Sequence, residues 1–376
     1  MNFPSPISSS LNIIVLFTTL YLYIMNKKTK YCHLYPVLLL ALVGMMLTSS
    51  CTNDGRPDVS HIPSDTRFVR TELDLIESPT KEQTLALANK DSAFYDIYFR
   101  DILTLRGTTK DSIILSMQQW MKDSLIADLW SKTKNKYKNI NELKSQTDQM
   151  FKYLKYYFPN KIKDQPDIYT FISGFDFQLF IFENDNGNDA IGLGLDMFLT
   201  PDIHYKMIDP DNTNFSDYIT RSWNHDHIVK KIGEIYVHDV LGESPGKRMI
   251  DQMIHHGKSL YILSQILPEN QDSVIIEYSQ KQLEWCQDNE LQIWSFFLDN
   301  KLFFESNPVI INKYINLSPD SPDMPKDAPG RTGDYMGWQI VKAFMKRYPE
   351  TTIQELISMV DAQSLLEKSK YKPKRK

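Results

Sequence analysis

A chain of 376 residues with 42% apolar and 24% charged residues has the composition of a globular protein, long enough for one large domain or two small ones. Its formal net charge of −5 excludes nucleic-acid binding by bulk positive charge. The three cysteines, Cys32, Cys51 and Cys286, have neither the spacing of a zinc knuckle nor that of a disulfide framework.

Residues 1–24 carry an apolar run from Leu11 to Ile24, short for a membrane span of about 20 residues. They read as upstream sequence ahead of a true start at Met25; the rival reading is a membrane hairpin. From Met25, the basic residues Lys27, Lys28 and Lys30 are followed by an apolar stretch from Val37 to Leu47 and then by Thr48-Ser49-Ser50 before Cys51. This is the layout of a secretory signal over 25–50 that ends in a lipobox-like cysteine, with Thr48 standing where leucine is usual. Cys51 is therefore expected to become the acylated N-terminus, carrying palmitate-type chains, several of which hold a protein on a membrane where one is marginal. Residues 51–66, with Gly55, Pro57 and Pro63, read as a tether to a single domain over 67–366. Cys286 is then left without a partner and is expected to be a buried structural thiol.

Arg67 to Leu75 alternates like a strand, and helical patterns follow at Lys81 to Ala88, Ser92 to Leu103 and Asp111 to Trp130. The lysines from 132 to 138 read as a solvated face leading into another helix through Leu143, Met150, Phe151 and Phe158. After Pro159 three short apolar runs, Ile168 to Ile172, Phe177 to Phe182 and Ala190 to Leu195, predict a small antiparallel sheet with an Asn-Gly turn at 184–187. That Asp/Asn cluster lacks the twelfth-position glutamate of a calcium loop and reads as a turn. The remainder is helical through His225 to Leu241, the stretch between Pro245 and Pro268, and Ser273 to Phe304. The class is α+β, mainly α, with the small sheet packed on helices.

Between Pro245 and Pro268 the apolar residues Ile250, Met253, Ile254, Leu260 and Tyr261 form one stripe at about 100° per residue, with Gly257 in its middle. A glycine there costs roughly 1 kcal/mol against alanine, which points to close approach of another backbone. His255 and His256 lie about 100° apart on the wheel and lack the i,i+4 spacing of a helical zinc pair. Glu290 falls beside the apolar face of Trp294, Phe297 and Leu298, so it needs a cation or a donor, and Arg331, beyond a proline-rich loop, is the candidate partner in a cleft. Gly333 and Gly337, one turn apart, predict a tight helix face that meets Gly257. Thr351 and Gln354 read as a capping box, and the basic tail over 367–376 as disordered.

The segments FKYLKYYFPN, PDIYTFISGFD, IGLGLDMFL, MIHHGKSLY, EWCQDNELQIWSFF and PGRTGDYMGWQIV, in this order after a lipidated cysteine, resemble the gliding motility lipoprotein GldB family of Bacteroidetes. That family is in turn similar to predicted zinc-dependent proteases of the zincin type. The resemblance implies a degenerate, zincin-like domain: Gly257 matches the proteases' glycine, His256 stands where they carry a metal-binding glutamate, and Gly242 replaces the second histidine of H-E-x-x-H. Weak metal candidates are His238, Glu234 and His256; the expectation is no catalytic residue and no cofactor. The implied function is a non-catalytic lipoprotein of the gliding or type IX secretion-associated machinery, anchored to the inner or outer membrane, facing the periplasm and meeting envelope proteins. The alternatives are a metallopeptidase or peptidoglycan-directed hydrolase with an altered zinc site, and a carrier or inhibitor that holds a peptide in the old cleft.

Overall fold

The short strand β1 (Phe68–Arg70) runs straight into α1 (Thr71–Glu77). There follow α2 (Lys81–Lys90), α3 (Ser92–Ile97) ending in a π turn, α4 (Lys110–Met121), α5 (Ser124–Lys136) and α6 (Asn141–Tyr157), then β2 (Asp167–Phe171), β3 (Leu179–Glu183) and β4 (Asp189–Gly194). The rest is helical: α7 (Tyr205–Ile208), α8 (Asp217–Thr220), α9 (His225–Leu241), α10 (Met249–Ile266), α11 (Asp272–Ile276), α12 (Gln280–Asp288), α13 (Glu290–Asp299), α14 (Pro308–Ile315), α15 (Thr332–Arg347), α16 (Ile353–Ser358) and α17 (Ala362–Ser369). This computed structural model describes residues 56–162 and 164–373. The upstream segment 1–24, the signal over 25–50, Cys51 and the last three residues of the basic tail lie outside the described residues.

The sheet is mixed, which corrects the expected antiparallel one. Its order is β1-β2-β4-β3, with β2 parallel to both β1 and β4 and only β3 antiparallel to β4. The physical reason is burial on both faces: Ile168 to Phe171 of β2 are all buried, and an interior strand of this kind takes parallel neighbours under helical cover. The expected strand from Arg67 to Leu75 is a strand for three residues only. Thr71 opens a helix whose first turn holds Glu72 and Asp74, favourable charges at a helix N-terminus. The 184–187 segment is the expected turn. Asn184 Oδ1 accepts from the backbone of Asn186 and Asn188, while Asp185 caps α3 by accepting from Ser92 N at 2.6 Å and Ala93 N at 3.0 Å.

Two helices are interrupted where the sequence pattern ran on. Asp123 accepts from the backbone of Leu125 and Ile126 and so starts α5 afresh within Asp111 to Trp130. Glu277 takes a left-handed conformation (φ 60°) and Ser279 opens α12 with a capping box, which divides Ser273 to Phe304. The last capping box is formed by Thr352 and Glu355, one residue later than expected, because Gln354 is drawn off to donate to the carbonyl of Tyr157.

From Val59 on the chain forms one unit, centred on α10. α10 touches α6, α9, α11, α14, α15, α16 and α17, and its buried residues extend beyond the predicted stripe to Ile262, Leu263 and Ile266. Each such side chain contributes roughly 1.5–3 kcal/mol on burial. The predicted glycine contact is present: a Cβ on Gly257 would overlap the carbonyl of Gly337 and stand 2.8 Å from Trp338 N. Gly333 faces elsewhere, towards the carbonyl of Tyr314 at the end of α14. Cys286 is buried, as expected of a structural thiol.

Both ends of the described chain are laid on this unit. Within the segment read as a tether, Val59 is buried, and Asp148 accepts from Ser64 Oγ, Thr66 N and Thr66 Oγ1. In the segment read as a free tail, Glu367 to Ser369 complete α17 and Tyr371 packs on Trp294.

Candidate functional site

Because Gly257 and Gly337 let α10 and α15 touch, the first turn of α15 is brought beside the middle of α10. Asp334, three residues before Gly337, thereby reaches His256, one residue before Gly257, and its Oδ1 lies 2.7 Å from His256 Nδ1. α9 comes up on the other side, where Gly233 leaves room for Met150, Leu263 and Ile266. Its outer face then presents Glu234 and His238. The resulting cleft has a volume of about 300 Å³ and is walled by Glu234, His238, His255, His256, Ser259 and Arg331.

Beneath the cleft lies a continuous chain of ion pairs. Lys230, whose side chain is fully buried, donates to Glu234 and, at 2.8 Å, to Glu277 Oε1. Lys231 reaches Glu277 at 2.5 Å and Glu234 at 3.4 Å. Arg331 continues from Glu277 at 3.7 Å to Asp334 at 2.8 Å, and Asp334 meets His256. Arg331 also donates to the carbonyl of Ile276. Arg331 (φ 62°) and Glu277 (φ 60°) are both non-glycine residues in the left-handed region, which places two backbone outliers, each costing of order 1–3 kcal/mol, in one ionic network.

These pairs set the charge states. Burial alone would raise the Glu277 and Asp334 carboxyls, but Lys230, Lys231 and Arg331 hold Glu277 well below the usual range, and His256 with Arg331 holds Asp334 below it. The Asp334 carboxylate, opposed by burial, holds His256 above its usual value. His255 goes the other way: burial, then His256, Lys258 and His238, push it down to about 4. Two adjacent histidines thus face one cleft, one inclined to carry a proton and one to stay neutral. With Nδ1 directed at Asp334, the other ring nitrogen of His256 is the atom free to meet a ligand.

All three weak metal candidates, His238, Glu234 and His256, line this cleft, as does Arg331. Glu290 does not. It is buried near the C-terminus and accepts from Tyr335 Oη at 3.2 Å and Tyr371 Oη at 2.7 Å, while Arg331 is turned to Glu277 and Asp334. The expected Glu290–Arg331 partnership is therefore corrected: Tyr335, one residue after Asp334 on α15 and so about 100° round the helix from it, turns its hydroxyl to Glu290, while Asp334 holds Arg331. Sequence reading missed Lys230, Lys231, Glu277 and Asp334. The i,i+4 pair Lys230–Glu234 was readable, and so was Asp334 as the one charge in the buried run from Gly333 to Trp338. Glu277 had no local signal.

Among the described residues no group of three or more His, Cys, Asp or Glu side chains is arranged to hold a metal ion. Among the same residues no helix is long and apolar enough to cross a membrane. No curated protein and no solved structure matches the chain. A family model, described as gliding motility protein GldB, matches residues 52–373, nearly the whole of the chain after Cys51. The lipoprotein-type cysteine and the order of the motifs agree with that match, and the chain belongs to the gliding motility protein GldB family.

Proposed function

We propose that this protein is a non-catalytic lipoprotein of the cell envelope, held on the inner or outer membrane through Cys51 and facing the periplasm, where it meets proteins of the gliding or type IX secretion-associated machinery. Family membership supports the association with gliding motility. The non-catalytic part rests on one observation: the carboxylates around the cleft are already engaged by cations built into the chain. Glu234 and Glu277 hold Lys230 and Lys231, and Asp334 holds Arg331. A hydrolytic zinc site needs about three protein ligands and an open position. Freeing Glu234 would leave the fully buried Lys230 ammonium with Glu277 alone, a carboxylate that Lys231 and Arg331 also share. On this reading the domain is a degenerate, zincin-like one in which tethered cations occupy the centre.

The test is made in cells. Cys51→Ala is expected to release the protein from membranes and abolish its palmitate label, whereas His238→Ala leaves gliding intact and still co-purifies envelope proteins. The rival reading, a metallopeptidase or peptidoglycan-directed hydrolase, draws on the shared position of Glu234, His238 and His256. Stoichiometric zinc in the purified protein, lost together with peptide hydrolysis on His238→Ala, would replace the first reading with the second.

A further inference from the structure

The charges beneath the cleft do not cancel. Lys230, Lys231 and Arg331 face Glu234, Glu277 and Asp334, three against three. Behind them Arg221 donates to the carbonyl oxygen of Glu277 at 2.8 Å and adds a fourth cation. On the cleft side His256 adds another whenever it is protonated, and the Asp334 carboxylate beside it favours that state. The other groups facing His256 are His255 on its own helix, with the rings 6.0 Å apart, and His238 and Glu234 across the cleft on α9; Glu243 stands at the rim. The site is thus short of negative charge at its floor while its wall and rim are acidic. A single, compact negative charge that reaches the floor is favoured, and a more highly charged ion is repelled by Glu234 and Glu243.

The remaining surface says what carries that charge. Leu241, half-buried, gives the cleft an apolar edge, backed by the nearly fully buried Leu260 and Leu263, and the Ser259 hydroxyl lies one turn from His256. The volume of about 300 Å³ is at the small end of ligand sites, enough for the end of a chain. We infer that the cleft docks the C-terminal carboxylate of a peptide, held by His256 and Arg331, with an apolar last side chain against Leu241. This rests on the reading of the cleft as one that holds rather than cuts.

The experiment titrates the full-length, detergent-solubilised protein by calorimetry with N-acetylated hexapeptides ending in Ala-Leu, once with a free carboxylate and once as the amide, and with inorganic phosphate. The acid peptide is expected to bind, with the amide roughly tenfold weaker or more, as loss of a charge-assisted contact requires. Its affinity is expected to fall as pH rises through the raised His256 value and the ring loses its proton, and His256→Gln is expected to flatten that profile. Equal binding of acid and amide, phosphate binding more tightly than the acid peptide, or no binding at millimolar peptide would each overturn the inference, and none of these needs a variant to fold. Mass spectrometry of the recovered peptide separates the two readings. Cleavage with the acid preference retained removes the non-catalytic reading and keeps the docking site, whereas intact peptide with that preference supports both.

Discussion

Gly337 lies against Gly257 with backbone touching backbone: a Cβ on Gly337 would overlap the carbonyl of Met253 and stand 3.1 Å from its Cα. Glycine to alanine inside a helix ordinarily gains up to about 1 kcal/mol. Here the sign reverses, and Gly337→Ala and Gly257→Ala are each expected to cost about 1–3 kcal/mol, because two packed backbones have nothing that can step aside. Urea denaturation of the purified variants measures this; a stability equal to or above the parent's would remove the crossing as the organising contact.

Lys230 is expected to be the most sensitive charge in the protein. Lys230→Met leaves Glu277, itself almost fully buried, short of one of its cations, and breaking such a buried pair costs about 3–5 kcal/mol. Lys230→Met combined with Glu277→Gln is expected to recover part of that loss. Chemical denaturation of the single and double variants gives the coupling, and a purely additive result would mean that the two side chains do not act as a pair.

The His256–Asp334 pair gives stability a definite pH profile. His256 is held above its usual value of 6.5, so its contribution is complete below that pH and is lost as pH rises through the raised value. Asp334 is held below its usual value of 3.8, so its contribution is complete above that pH and is lost as acid takes it through the depressed value. Thermal melts across the pH range are expected to show the parent losing its advantage over His256→Gln as pH climbs above neutrality. A difference that stays constant with pH would contradict the pairing.

Lys258 has the opposite slope. The residue is 4% exposed, its ammonium donates to the carbonyl of Met359 at 2.6 Å just beyond α16, and burial pushes it down to about 8 from the usual 10.5. The unfolded chain then holds the proton more readily than the folded one over that interval, and stability rises with pH between the two values. Denaturation midpoints of Lys258→Met are expected to lack this alkaline rise.

Tyr371 closes the molecule onto Glu290 through its hydroxyl, at 2.7 Å. Tyr371→Phe is expected to cost about 1.5–3 kcal/mol, the value of a hydrogen bond to a charged group. Hydrogen exchange of α13 is the more local measure: its amides should exchange faster in the variant while those of α9 do not change.

What could be read from residue order was what repeats locally. The stripe through Ile250, Ile254 and Leu260 and the glycines at 257 and 337 placed α10 and α15 together, since both signals are set within a few turns of helix. The cluster of His238, Glu234 and His256 followed from the resemblance to a family with one cleft. The sheet was misread because strand partners are chosen by burial on both faces of β2, a property of the folded layers. Glu277 was invisible because its role depends on a left-handed turn and on partners 46 and 54 residues away, as 277 − 231 and 331 − 277 give. Arg331 was assigned to Glu290 on the ground that a buried carboxylate needs a cation or a donor, but Glu277 and Asp334 engage Arg331, and two phenols donate to Glu290.

The strand pairing carries a consequence for biogenesis. β1 finds its partner in β2 about a hundred residues downstream, Phe68 beside Ile168, and α10 is enclosed only when α15 and α17 have arrived. The stretch that carries α10 cannot therefore mature by itself. A ribosome or translocon has to deliver α15 and α17 before that helix is shut away from water, and until then Ile250, Ile254 and Leu260 stay open to holding chaperones and proteases.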